Sequence, residues 1–191
     1  MSISPKARMT EDEYLALERA SDRKSEFLDG EMFALAGASP THALITSNVG
    51  AALHQRLRER PCRVFSPDLR LRLSPSGLFC YPDVVVVCGE LQFWGAEKDT
   101  VTNPRLVVEV LSPSTEGWDR GGKFARYRML ESLREVVFVS QDRVLVEQFT
   151  RQEDGRWILA EATRLDEVQE VASVACDLPV SAVYEKVDIA R

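Results

Sequence analysis

Apolar and polar positions follow two periods along this chain, and the changes of period mark out its elements. Leu44, Val49, Leu53 and Leu57 recur at helical spacing behind Ser39-Pro40, a cap residue with proline at the first helical position, and Arg60-Pro61 ends the run. Ahead of it, Thr10 and Glu13 have the spacing of a capping box, predicting a short helix from about Glu11 to Glu18. In "SEFLDGEMFALAG" two apolar runs flank Asp29-Gly30, which suits a hairpin because both positions tolerate positive φ, so Glu31 opens the second strand. Runs at Arg63 to Phe65, Leu69 to Leu73, Tyr81 to Cys88 and Arg105 to Leu111 are too short for helices; the last two are rich in β-branched residues. Helical spacing returns through Phe124, Tyr127 and Leu130, despite the weakening pair Gly121-Gly122. "EVVFVS", "RVLVEQFTR" and "RWILAEA" then read as strands, with "QEDG" as a hairpin turn, and Val168 to Val187 mixes a strand with a short helix at Pro179. Gly89 to Asn103 has no period and reads as a long loop, of the kind that carries function or is pinned to the core, here by Phe93 and Trp94.

This order of elements predicts an α+β (mixed α/β) fold around a central sheet. With 191 residues, 45% of them hydrophobic, and no repeat or linker, the chain fits one domain spanning 1–191. No window is long and apolar enough for a membrane span, and the start lacks the apolar middle of a signal peptide, so the mature chain is expected to begin at Met1 and to be cytoplasmic. Cys62, Cys80, Cys88 and Cys176 form no CxxC pair and have only His42 and His54 to help hold zinc, so all four are expected to be reduced.

The net charge of −6 argues against a protein that coats nucleic acid non-specifically. Six arginines between Arg56 and Arg72, against Glu59 and Asp68, nevertheless give a local net of +4. That segment reads either as a solvated helix end with a half-exposed strand or as a phosphate-facing surface; Arg70 and Arg72, with Arg120 further on, are the candidate backbone contacts. Trp94, Trp118 and Trp157 read as core or rim anchors rather than base-stacking platforms.

Within "RLVVEVL" a carboxylate, Glu109, stands among valines, where an unpaired charge is costly. Val108 and Val110 point one way and Val107, Glu109 and Leu111 the other. Three explanations are open: an ion pair with arginine, a wet strand end, or a metal site. Asp83 opens another strand and Glu31 the hairpin strand. If those strands are neighbours, three carboxylates converge, and a divalent cation resolves their repulsion. Asp119, Lys123 and Tyr127 fall on one helix face; Lys123 either reaches back to the sheet or merely pairs with Asp119 at the surface.

"YPDVVVV", "PRLVVEVLSPSTEGWDRGGKFARYRML" and "EVVFV", together with "SEFLDGEMFALAGASPTH", resemble the Uma-two family of restriction endonucleases, once catalogued as a domain of unknown function. The resemblance runs from about Glu13 to Phe149, with 150–191 as a C-terminal extension of the same domain. Through that family the chain is similar to the PD-(D/E)XK nucleases. This implies a restriction-endonuclease-like fold, a mixed sheet flanked by helices, with an added N-terminal hairpin and extra C-terminal strands. Pro82-Asp83 matches the "PD", and Glu109-Val110-Leu111 matches "(D/E)XK" with leucine where lysine belongs, which transfers the lysine role to Lys123 on the next helix. The resemblance implies Asp83, Glu109 and Lys123 as catalytic residues and Asp83, Glu109 and Glu31 as metal ligands, with the Val110 carbonyl as a further ligand. His42 and Tyr127 match family positions with no role assigned. The implied cofactor is Mg²⁺, with Mn²⁺ as substitute, and the implied substrate is DNA, cut by a homodimer. RNA or a small nucleotide would suit the same carboxylates. The alternative is a non-catalytic nucleic-acid-binding or scaffold protein, for which Leu111 and the net acidity speak.

Overall fold

The run from Leu106 to Leu111 forms strand β8 at the heart of a computed structural model that describes residues 8–189. The chain start at Met1 lies outside the described residues. β8 is buried along its whole length because both of its faces are covered: Leu106, Val108 and Val110 enter one apolar cluster, Val107 and Leu111 another. It pairs antiparallel with β6 (Val84–Cys88) and parallel with β9 (Glu135–Ser140), so the sheet is mixed. β3 (Cys62–Phe65) forms one edge beyond β6, while β10 (Val146–Arg151) and β11 (Trp157–Ala162) extend the other side to six strands.

The first cluster lies under α2 (Pro40–Arg56), whose Ile45, Val49 and Leu53 are fully buried on the sheet, and under the C-terminal pieces β12 (Val168–Val171), β13 (Cys176–Pro179) and α5 (Val180–Val183). The second lies between the opposite sheet face and a smaller five-stranded sheet, ordered β2-β1-β5-β4-β7. Its strands are β1 (Ser25–Leu28), β2 (Glu31–Ala34), β4 (Arg70–Leu73), β5 (Leu78–Cys80) and β7 (Thr100–Val101). The β1-β2 hairpin turns at Asp29-Gly30, with φ of 52° and 84°, as the dipeptide predicts. α1 (Glu11–Ala20) starts with both halves of its capping box and packs Tyr14 on Phe27 and Phe79.

Two expectations change. The stretch 89–103 is loop for most of its length, but Thr100–Val101 pairs with β4, and Asp99 anchors it by ion pairs to Arg19 and Arg70. Cys62 and Cys88 are not reduced thiols: the β3-β6 register places them opposite one another, joined as a disulfide, while Cys80 and Cys176 are free. Their separation in sequence hid a pairing that only the sheet creates. Among the described residues, no helix is long and apolar enough to cross a membrane.

Candidate active site

Asp83 and Glu109 are brought together because β6 and β8 are direct neighbours, with Val84 opposite Val108. Asp83 stands just before β6. Its Oδ2 accepts the Val110 backbone N–H at 2.7 Å, which fixes the carboxylate across the end of β8. The same oxygen lies 3.3 Å from Nε2 of His42, in the first turn of α2. Ser39 caps that helix by accepting the His42 N–H, so the imidazole is held at the strand ends from a rigid start.

Glu109 meets its partners from the helical segment that follows β8. This segment runs as α3 (Glu116–Trp118), a π-helical turn over Asp119–Lys123, and α4 (Phe124–Tyr127). The wider turn is visible in the Phe124 N–H, which donates to the Asp119 carbonyl five residues back. It turns Asp119, Lys123 and Tyr127 together onto the sheet. Lys123 Nζ lies 2.8 Å from Glu109 Oε1, 3.0 Å from Glu26 Oε1 and 3.7 Å from Asp119 Oδ1. Tyr127 donates its hydroxyl to the same Glu109 Oε1 at 2.5 Å. Both buried donors thus meet at Oε1 of Glu109, and among the described residues no hydrogen bond is made to Oε2 of Glu109 or Oδ1 of Asp83.

One ammonium therefore serves three buried or nearly buried carboxylates. Burial alone would lower the Lys123 amine, but Glu109 and Glu26 outweigh it and hold its pKa well above the usual lysine value. Glu109 is driven the other way from an ordinary ion-paired acid: burial raises its pKa more than Lys123 lowers it, and Asp119 and Asp83 add to the rise. Asp119 is raised by burial as well. The Tyr127 phenol is raised by burial and by its neighbours Cys80 and Glu109, so it stays a donor. For His42 burial pulls the pKa down, while Asp83 and the Val110 carbonyl raise it further, leaving a net increase. Glu26, His42, Asp83, Glu109, Asp119 and Lys123 line a cleft of about 1200 Å³ between α2, the strand ends and the loop 112–115.

The structure thus assembles Asp83, Glu109 and Lys123, and it turns Lys123 inward instead of leaving it in a surface pair. It does not bring Glu31 to them. Glu31 is exposed on β2, in the five-stranded sheet, and the acid that the hairpin contributes is Glu26 on β1. Its signal was present in "SEFL", a carboxylate within a short apolar strand like Glu109, but Glu31, opposite Leu28 on the same hairpin face, sits beside the turn on the edge strand β2, whereas Glu26 sits on the inner strand β1. Arg70, Arg72 and Arg120 are also placed otherwise than expected. Arg70 is buried against Asp99, Thr100 and Tyr81; Arg72 is paired with Glu11 and stacked 3.7 Å from the Trp94 ring; Arg120 is clamped by Glu116 and Glu147. Each guanidinium is thus paired with the fold's own carboxylates. Leu111 is core, in the second cluster. Among the described residues, no group of three or more His, Cys, Asp or Glu side chains is arranged to hold a metal ion.

Compared with known proteins, residues 11–181 match the profile of the Uma2 family, whose description is "Putative restriction endonuclease". The match continues through β10 to α5, past the region of the motifs. Two proteins of Synechocystis sp., sll1609 and slr1290, both described as uncharacterized, are similar to this chain. The first is 36% identical over 161 residues, covering 84% of this chain and 91% of the relative; the second is 31% identical over 183 residues, covering 95% and 94%. A crystal structure from Anabaena variabilis, described as "a putative nuclease belonging to DUF820", superposes with a TM-score of 0.71 at 18% identity, over 91% of this chain and 96% of that one. At that identity the likeness is one of fold.

Proposed function

The chain belongs to the Uma2 family, and from that premise we propose that it is a metal-dependent endonuclease that hydrolyses DNA phosphodiester bonds at Asp83, Glu109 and Lys123. The observation that carries this reading is the division of labour at Glu109. One of its oxygens takes the Lys123 ammonium and the Tyr127 hydroxyl, while the other, like Oδ1 of Asp83, accepts no hydrogen bond from the described residues and lies beside an excess of negative charge. Two carboxylates with a backbone carbonyl at Val110 suit Mg²⁺, or Mn²⁺ in its place, because Mg²⁺ is commonly held by one or two carboxylates with waters and substrate phosphate oxygens rather than by a protein cage. Bound there, the cation would polarise the phosphate and lower the pKa of the attacking water. Lys123 holds a fixed positive charge against which negative charge on the phosphate can develop. Glu26 and Asp119 hold that amine in place, Tyr127 fixes the rotamer of Glu109, and His42 with the Val110 N–H fixes Asp83.

The same reading has the chain act as a homodimer. Support comes from β11, an edge strand whose Ile158 and Leu159 are exposed.

The test is nicking of supercoiled plasmid in Mg²⁺ or Mn²⁺ by the wild-type chain and by Asp83→Asn, Glu109→Gln and Lys123→Met variants with folding checked by circular dichroism. Loss of nicking in all three, by about 10²-fold or more, is the expected result. Equal nicking by the variants would remove these residues from the chemistry, and a wild-type chain silent in both metals would favour a binding or scaffold role.

A further inference from the structure

We propose that the nucleic-acid backbone runs along α2, from the Asp83–Glu109 site at the helix start to exposed arginines just past the helix end; this track rests on the nuclease reading above. The cleft does not stop at the carboxylates. It continues along one face of α2 through Thr46, Ser47, Gly50 and Ala51 to His54, and its opposite wall is residues 64–67, at and after the edge strand β3. From His42 to His54 this is about 18 Å of helix, at 1.5 Å per residue.

Three features of that face point to a polyanion lying on it. Gly50 sits in the interior of a 17-residue helix, where glycine costs about 1 kcal/mol relative to alanine, yet a Cβ built there meets none of the described residues within 4 Å. No neighbour in the fold requires a glycine, whereas a ligand backbone approaching the helix would. Thr46, only 9% exposed, lines the cleft, and its buried hydroxyl has no hydrogen-bond partner among the described residues. Such a group is costly to leave unsatisfied and can donate to a phosphate oxygen. The chain holds 30 acidic residues, but none lies between Glu31 and Glu59, so the whole helix lacks the charge that would repel a phosphate. Past its end, the turn at 57–61 exposes Arg58 and Arg60, with Glu59 between them; among the described residues neither arginine makes an ion pair, unlike Arg70, Arg72 and Arg120.

Binding of fluorescein-labelled 20-mers, as duplex DNA, single-stranded DNA and RNA, is to be measured by anisotropy in EDTA, so that binding is read apart from cleavage. Gly50→Leu points a side chain into open space and stays folded, which thermal denaturation checks, and it weakens binding by about tenfold or more. Arg58→Ala with Arg60→Ala lowers the salt dependence of log K by about one per arginine, whereas Arg164→Ala, which removes an exposed charge elsewhere, leaves it unchanged. Wild-type affinity in Gly50→Leu, or equal salt slopes in all arginine variants, overturns the track while plasmid nicking by the wild type would keep the catalytic reading intact. A wild-type chain that neither binds any of the three probes nor nicks plasmid overturns both.

Discussion

Glu109 is 4% exposed and shares one lysine with other acids, so its proton affinity couples the site to the stability of the fold. Its folded pKa is raised above the ordinary 4.5, chiefly by burial. The stability it contributes is therefore fully present below that ordinary value and is lost as pH rises through the raised one. Lys123, raised above 10.5, keeps its proton throughout that window and adds no slope there. Between about pH 5 and pH 9 the wild-type chain is expected to lose unfolding free energy, and Glu109→Gln to lose less of it. Asp119 and His42, also raised, supply the slope that remains. Urea denaturation at several pH values measures this, and identical slopes in the two proteins would show that Glu109 ionises as it does in water.

The helical segment after β8 contains two adjacent glycines with different reasons to exist. A Cβ on Gly122 would lie 2.1 Å from Cζ3 of Trp118, whose ring folds over the π-helical turn, while a Cβ on Gly121 meets nothing within 4 Å. Gly122→Ala must push the indole away, and overpacking of this kind costs about 1–3 kcal/mol. Gly121→Ala is expected to be neutral or to stabilise by up to about 1 kcal/mol through helix propensity. Denaturation midpoints distinguish the two, and tryptophan emission should shift only for Gly122→Ala. Equal midpoints would mean that the ring does not rest there. What reads in sequence as a weak spot in a helix is, in the fold, the place where the helix widens and turns Lys123 inward.

Over the whole molecule, the six-stranded sheet ends in β11, where Ile158 and Leu159 are 55% and 44% exposed. An apolar edge strand of this kind is a pairing surface that proteins usually cover or charge. If the homodimer proposed above forms there, sedimentation equilibrium gives twice the 21.5 kDa chain mass, and Ile158→Lys with Leu159→Lys returns it to the monomer value. A dimer indifferent to both lysines would be built on another face. The disulfide between Cys62 and Cys88 closes the opposite side of the same sheet, joining the β3 edge to β6.

The sequence by itself determined most of the element order, because helix periodicity, caps and the Asp29-Gly30 turn act over a few residues and need no partner. It also made Glu109 conspicuous, since a charge in an apolar strand stands out wherever the strand packs, whereas Lys123 stayed open between a surface pair and the sheet and drew its role only from the family resemblance. Tertiary structure alone decided which groups share that space. Hairpin placement chose Glu26 over Glu31, sheet register joined Cys62 to Cys88, and packing of β4 and the π-helical turn against acidic neighbours paired Arg70, Arg72 and Arg120 within the fold. Apart from the local Arg120–Glu116 pair, such outcomes depend on contacts between residues far apart in sequence, about which local pattern carries no information. The open space above Gly50 belongs with them: the residue is legible in the sequence, and the groove it faces exists only once α2 lies beside the edge of the sheet.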